Sequence, residues 1–152
     1  MPSDDTLSRF SMAFPAWAVR ASGKLNVPVY RLTRGRIGGK LNRAPVLLLT
    51  TTGRRSGRTR TAPVLYGHDG ENLVVIGSNA GNDGAPAWSL NLSAEPTAEV
   101  EIGAERRVVR ARITEGEERE RLWQAMNTQY EGFDHYRART EREIAVFVLE
   151  PR

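Results

Sequence analysis

The spacing of apolar positions divides the chain into a helical beginning, a strand-rich middle and a mixed end. Over residues 4–22, Leu7, Phe10, Met12, Phe14, Trp17, Ala18 and Val19 fall on one broad side, the pattern of an amphipathic helix that Pro15 kinks or interrupts. Residues 25–34 suit a short helix or a loop, and Gly35 to Asn42 is a glycine-rich connector. After Pro45 the period changes. Val46 to Thr52 is a β-branched and aliphatic run of strand length stopped by Gly53, and a second strand follows from about Thr59 to Tyr66. Asp69-Gly70 marks a hairpin into a third strand, Asn72 to Gly77. Pro86 to Leu92 reads as a short helix begun by proline, where no internal hydrogen bond is yet required. Thr97 to Ile102 and Arg106 to Thr114 form a hairpin across Gly103. Glu115 to Gln129 is a helix with acidic residues in its first turn, and Ile144 to Leu149 is a last strand.

Six strands joined mostly by hairpins, with helices at the ends, imply a small α+β barrel rather than a parallel sheet. At 152 residues the chain suits one ordinary domain, divided as an amphipathic helical segment over 1–30 and a single barrel domain over 31–152.

Charge changes this picture. From Thr6 to His68 there is no Asp or Glu, yet twelve Arg and Lys residues fall there, whereas Asp69 to Arg152 carries ten basic and sixteen acidic residues. A net charge of +4 therefore hides a segment of +12. Clustered guanidinium groups repel one another unless an anion offsets them, and they suit phosphate and carboxylate oxygens, so a polyanionic ligand is expected. Cysteine is absent, which excludes disulfide scaffolds, thiolate metal sites and thiol nucleophiles and points to a reducing, cytoplasmic compartment. No apolar run is long enough to span a bilayer, and the first twenty residues lack the features of a signal peptide. Two placements of the first helix stay open: packed over one end of the core, or resting on a membrane surface with Arg9, Arg20 and Lys24 toward headgroups.

Several motifs fall away. Gly35 to Leu41 is one residue short of a phosphate loop and lacks its hydroxyl, and Ser56 stands too close to Gly57 for a nucleophile elbow. His68 and His135, far apart and without cysteine, make no zinc site. The basic half would attract nucleic acid, but it has neither a recognition-helix nor an aromatic RNA-binding pattern, so no nucleic-acid partner is expected. The turn Thr50 to Arg60 carries more. Gly53 and Gly57 permit unusual backbone angles that can aim amides at an anion, and Ser56, Arg54, Arg55, Arg58 and Arg60 add a hydroxyl and charge.

The run from Ala44 to Arg60, then Pro63 to Tyr66, Gly77 to Gly81 and Pro86 to Leu92, in that order, resembles the deazaflavin-dependent nitroreductase family of actinobacteria. The likeness runs from about Tyr30 to Pro151 and takes in the Tyr130 to Tyr136 segment. It implies a six-stranded antiparallel split β-barrel related to the flavin-binding split barrels, and coenzyme F420 as cofactor, with FMN or haem as the alternative. It also implies hydride transfer from the reduced cofactor to a small electron-poor acceptor: a quinone, an activated alkene or a nitroaromatic ring. On this resemblance Arg54, Arg55, Ser56 and Arg60 hold the phosphate end, with Arg36, Lys40 and Arg43 along the tail. The ring lies along Pro63, Val64 and Leu65, with Ser78, Asn79, Ala80 and Gly81 beside it and Pro86, Ala87 and Trp88 beyond; Trp88 can equally be a core aromatic. Tyr66, Tyr130, Phe133 and Tyr136 form the substrate wall, and Ser78, Tyr130 or Tyr136 serves as proton donor or relay, unless solvent does. Tyr130 and Tyr136 stand six residues apart, which one helical face cannot bring together, so a loop or broken helix must lie between them. Two departures from the family pattern stand out: Asn79 in place of a frequent lysine, and Ser89 in place of a common tyrosine, a change expected to widen or re-aim the substrate cavity. The oligomeric state is left open.

Overall fold

A computed structural model describes residues 27–41, 44–79, 84–130 and 132–152. The expected helix over 4–22 and the candidate residues Arg43, Ala80 and Gly81 lie outside the described residues. Residues 27–32 are helical (α1). The strands are β1 (Lys40–Leu41), β2 (Ala44–Thr52), β3 (Thr59–Asp69), β4 (Asn72–Ile76), β5 (Thr97–Ile102), β6 (Glu105–Ile113) and β7 (Val146–Pro151). The remaining helices are α2 (Ala87–Ala94), α3 (Gly116–Gln129) and α4 (Gly132–Arg139).

The sheet order is β1-β2-β3-β4-β7-β6-β5, and β2 also pairs with β5, which closes six antiparallel strands into a barrel. Closure leaves no long unpaired edge. The closing seam is stapled from outside. The Tyr30 hydroxyl donates toward the carbonyls of Val46 and Glu101, at 3.1 and 3.2 Å, and accepts from the Gly103 amide at 3.0 Å. Arg31 grips both oxygens of the buried Glu101 carboxylate. Contacts of the barrel thus reach back across the expected boundary at residue 30.

Two apolar layers follow from strand alternation. Leu47, Leu49, Val64, Tyr66, Leu73, Val75, Val100, Val109, Phe147 and Leu149 fill the barrel interior. Val74, Ile76, Val146 and Val148 face the other way and are covered by Leu122, Trp123 and Met126 of α3 and by Tyr130, Phe133 and Tyr136. Strands buried on both faces read as unbroken apolar runs, as in Asn72 to Ile76, and each such side chain stabilises the fold by roughly 1.5–3 kcal/mol. Gly67 lets α3 lie directly on β3: a side chain there would begin 2.5 Å from the Met126 sulfur.

Candidate active site

The turn between β2 and β3 presents Arg54, Arg55, Ser56, Arg58 and Arg60 on the surface. None of these four arginines has a carboxylate partner among the described residues. The turn itself takes up part of the expected cradle of amides. The amides of Gly53 and Gly57 donate across the turn to the Arg58 and Gly53 carbonyls, the Arg58 amide donates to Ser56 Oγ, and the Arg54 amide donates to Asn91 Oδ1. The turn closes on its own hydrogen bonds, so what it offers an anion is mainly side-chain charge and the Ser56 hydroxyl proton. Gly57, at φ +70°, supplies the left-handed residue that the closure needs.

Asn91 anchors this turn to the rest of the fold. It is 2% exposed, accepts from both the amide and the Nη1 of Arg54, and donates through Nδ2 to Thr51 Oγ1 at 3.1 Å. Sequence reasoning overlooked it. Its only signal is an amide side chain in the otherwise apolar stretch Trp88-Ser-Leu-Asn-Leu92.

Along β3 the side chains split between the two faces. Val64 turns into the barrel interior, whereas Pro63 and Leu65 lie half-buried on the outer face, Leu65 against the aromatic layer. Thr61 shares that face, its hydroxyl 2.8 Å from that of Thr50. Ser78, two residues past the end of β4, is buried, with 8% exposure. Asn79 follows at φ +48°, and its Nδ2 donates to the Gly84 carbonyl at 2.8 Å, which closes that loop. Arg142 Nη2 donates to the carbonyls of both Gly77 and Ser78, at 3.1 and 2.9 Å. Arg142, too, was missed, because its sequence neighbourhood gives no sign of a partner 64 residues away.

The aromatic layer closes the outer face. The α3 helix stops at Tyr130, whose backbone is extended, and α4 begins at Gly132, where a side chain would start 2.6 Å from the Tyr130 ring. This glycine-dependent break is the interruption that the six-residue spacing demanded. It brings the Tyr130 and Tyr136 hydroxyls to 2.7 Å, a short buried hydrogen bond with one proton between the oxygens. Phe133 packs edge-on to both rings. Asp134 fixes α4 by accepting from Trp123 Nε1 at 2.8 Å and Asn127 Nδ2 at 2.7 Å, and Arg137 stacks on the Trp123 ring.

Several expected groupings are not formed. Tyr66 lies in the barrel interior beside His68, on the opposite face of β3 from the other three wall residues, and burial pushes its hydroxyl pKa up. Trp88 packs on the interior core, its ring 6.2 Å from Phe147, while Pro86 is half-buried and Ala87 exposed. Ser89 is buried under Gly77, whose missing side chain makes room for Ser89 Oγ. Lys40 pairs with Pro45, seven residues before Thr52, so it stands about 23 Å from the arginine turn at about 3.3 Å per residue. Arg36 belongs to the same end, lining a concavity of about 390 Å³ with Leu32, Thr33, Arg34 and Ile37. Among the described residues, the basic side chains of the acid-free stretch therefore fall at both ends of β2, Arg36 and Lys40 at one and Arg54 to Arg60 at the other.

Among the described residues no cluster of three candidate metal ligands occurs, and no helix is long and apolar enough to cross a membrane.

Comparison with known proteins agrees with this geometry. The family described as F420H(2)-dependent quinone reductase matches residues 22–151. An F420H(2)-dependent quinone reductase of Mycobacterium tuberculosis is 35% identical over 149 residues, covering 93% of this chain and 100% of that one. Among solved structures, an F420-H2 dependent reductase superposes with a TM-score of 0.65 at 34% identity, over 70% of this chain and 94% of its own. A protein solved as a domain-swapped dimer gives 0.67 at 34% identity, over 78% and 90%.

Proposed function

Because the chain belongs to the F420H(2)-dependent quinone reductase family, and so is an oxidoreductase whose cofactor is coenzyme F420, we propose that it reduces a quinone on the outer face of β3. Activated alkenes and nitroaromatic rings are further acceptors of the same electron-poor class. The observation that carries this reading is a strip on one face: exposed arginines with no carboxylate partner among the described residues at the turn, then Thr61, Pro63 and Leu65, then the Tyr130–Tyr136 hydroxyl pair.

The donor set suits the cofactor. A phosphate with linked carboxylates calls for cationic side chains that the fold has not already neutralised, and Arg54, Arg55, Arg58 and Arg60 are such a set, with Ser56 as a further hydroxyl donor. These residues would hold the phosphate and the start of the tail, and Asn91 would keep Arg54 in place. Pro63 and Leu65 would bear the ring on an apolar shelf. Ser78 and Asn79 would meet its polar edge with backbone N–H groups, fixed dipoles that need no rearrangement as charge develops. Bound in its reduced form, F420 supplies a hydride, the two-electron half of quinone reduction.

The chain must also orient the acceptor and bring a proton. Tyr130, Phe133 and Tyr136 make a wall whose rings interlock, so an acceptor laid against it is held in one attitude rather than tumbling. The buried hydroxyl pair is a ready proton relay, because either oxygen can be the donor to the other.

An anaerobic acceptor panel with reduced F420 tests the reading. Quinones are expected to oxidise the cofactor in the presence of enzyme much faster than without it, with Tyr136→Phe slowing turnover by about tenfold or more at unchanged cofactor affinity. Saturable cofactor binding with no quinone turnover would overturn the acceptor assignment, and no binding at all would overturn the site.

A further inference from the structure

Arg142 lies on the connection between α4 and β7, outside every motif named so far, yet it reaches into the loop that carries Ser78. One nitrogen, Nη2, donates to two successive carbonyls, Gly77 at 3.1 Å and Ser78 at 2.9 Å. The same loop is pinned beside it: the Gly77 amide donates to the Ala145 carbonyl at 2.9 Å, and Asn79 Nδ2 holds Gly84. Ser89 fills the space against Gly77, and the Arg142 amide itself bonds Thr140 Oγ1.

The consequence follows from peptide geometry. A trans peptide points its C=O and its N–H in opposite directions. The Gly77 carbonyl shares a peptide with the Ser78 amide, and the Ser78 carbonyl shares one with the Asn79 amide. When both carbonyls converge on one guanidinium nitrogen, both amides are turned away from it together. An extended strand would send successive amides to opposite sides, so the loop must curl at Ser78, whose own backbone angles set the two peptides relative to each other. Because the carbonyls converge, the two amides point apart, and each suits a different polar atom along one extended edge. The cation behind them draws electron density into the carbonyls and strengthens the amides as donors.

We propose that Arg142 is a positioning residue: it sets and polarises the Ser78 and Asn79 amide pair that faces the polar edge of the bound ring. This rests on the site described under the proposed function. It also links two parts of the site, since Arg142 lies six residues beyond Tyr136, so the helix bearing the acceptor wall and the loop bearing the amides share one fastening.

The test compares wild type with Arg142→Met and Arg142→Lys, using amide resonances of Ser78 and Asn79, F420 affinity by fluorescence titration, and steady-state rates. For Arg142→Met both amide resonances are expected to move before any cofactor is added. F420 affinity and kcat should each fall about tenfold, while the quinone KM stays within about twofold. Arg142→Lys should recover part of the affinity. Should the methionine variant fail to fold, the lysine variant carries the comparison, because a single ammonium cannot reproduce the guanidinium fork, and its two amides should still shift. Unmoved amides together with wild-type affinity in either folded variant would overturn the proposal. The site reading fails separately: wild-type protein would then bind no F420, or bind it with the Ser78 and Asn79 amides unperturbed.

Discussion

The arginines of the β2–β3 turn and those of the β5, β6 and α3 surface are one residue type in opposite circumstances. On the second surface Arg106 meets Glu99 and Glu101, Arg107 meets Glu105, Arg112 bridges Glu118 and Glu150, and Arg121 meets Asp69. Arg107 beside Glu105 and Arg112 beside Glu118 lower the carboxyl pKa values, chiefly by direct hydrogen bonds. The turn arginines, in a stretch without a single acidic residue, answer to no carboxylate among the described residues. Charge that the fold leaves uncompensated is available to a ligand; charge that the fold has paired serves to hold the surface together.

The largest effect should come from removing the first set. Replacing Arg54, Arg55, Arg58 and Arg60 together with Gln is expected to weaken F420 binding by two orders of magnitude or more. A charge-assisted hydrogen bond contributes about 1.5–3 kcal/mol, and about 1.4 kcal/mol is a factor of ten. Arg60→Ala alone should weaken binding about tenfold while changing turnover at saturating cofactor much less. Melting temperature should hardly move for Arg60→Ala, whose side chain has no ion pair among the described residues, and should fall modestly for the quadruple variant, which also loses the Arg54 Nη1 bond to Asn91. The binding should also weaken with added salt, and the quadruple variant should lose most of that salt dependence. The matched control, Ala at Arg106, Arg107 and Arg112, should leave F420 affinity alone. Equal losses of affinity from both sets would erase the distinction between them.

Asn91 sharpens the comparison, because it is where the unpaired turn is tied to the packed fold. Asn91→Leu keeps the size of the side chain but strands the Thr51 hydroxyl and one Arg54 donor in a buried setting. A destabilisation of about 1–3 kcal/mol is expected, measured by denaturant unfolding. F420 affinity should fall a few-fold, less than for Arg60→Ala, since Arg54 is loosened rather than removed. Loss of stability with unchanged affinity would show that the turn does not need its anchor.

How much of this was legible beforehand depends on range along the chain. The strands were readable because each is a local signal: an apolar run bounded by Gly53, by Asp69-Gly70 or by Gly103. Helix α4 was not seen, although Asp134 near its start and Arg137 and Arg139 near its end suit the helix dipole, because eight residues after a break give too little apolar periodicity. The arginine turn was legible as charge, but its hydrogen bonds were not, since the residue that satisfies Arg54 stands 37 positions later. A related limit applies to Arg36 and Lys40, which were placed along the tail. A count of charge along the sequence cannot tell the two ends of β2 apart, and Lys40 and Arg60 lie at different ends. Tyr66 was grouped with the wrong aromatics because one step along a strand reverses the face, and only the register of β3 against β2 and β4 settles which face is which.

The smallest effect separates the two arginine sets by pH. Arg121 holds the Asp69 carboxyl below the ordinary aspartate range, mainly through its hydrogen bond. A carboxylate whose folded pKa is depressed stabilises the protein above its unfolded pKa, and that contribution disappears as pH falls through the folded value. Asp69→Asn should therefore lower the melting temperature at neutral pH by no more than about 1–2 °C, as befits an exposed pair. The gap should close as pH falls below the ordinary aspartate range and on through the lowered folded value, where wild-type Asp69 also becomes neutral. The proposed contact of the turn with F420 should respond to acid only as far as the ligand itself is protonated. A gap between Asp69→Asn and wild type that is constant from neutral pH down through that lowered value would mean that Asp69 acts by packing rather than by its charge, and the paired surface would then lose one of the electrostatic contacts that set it apart from the turn.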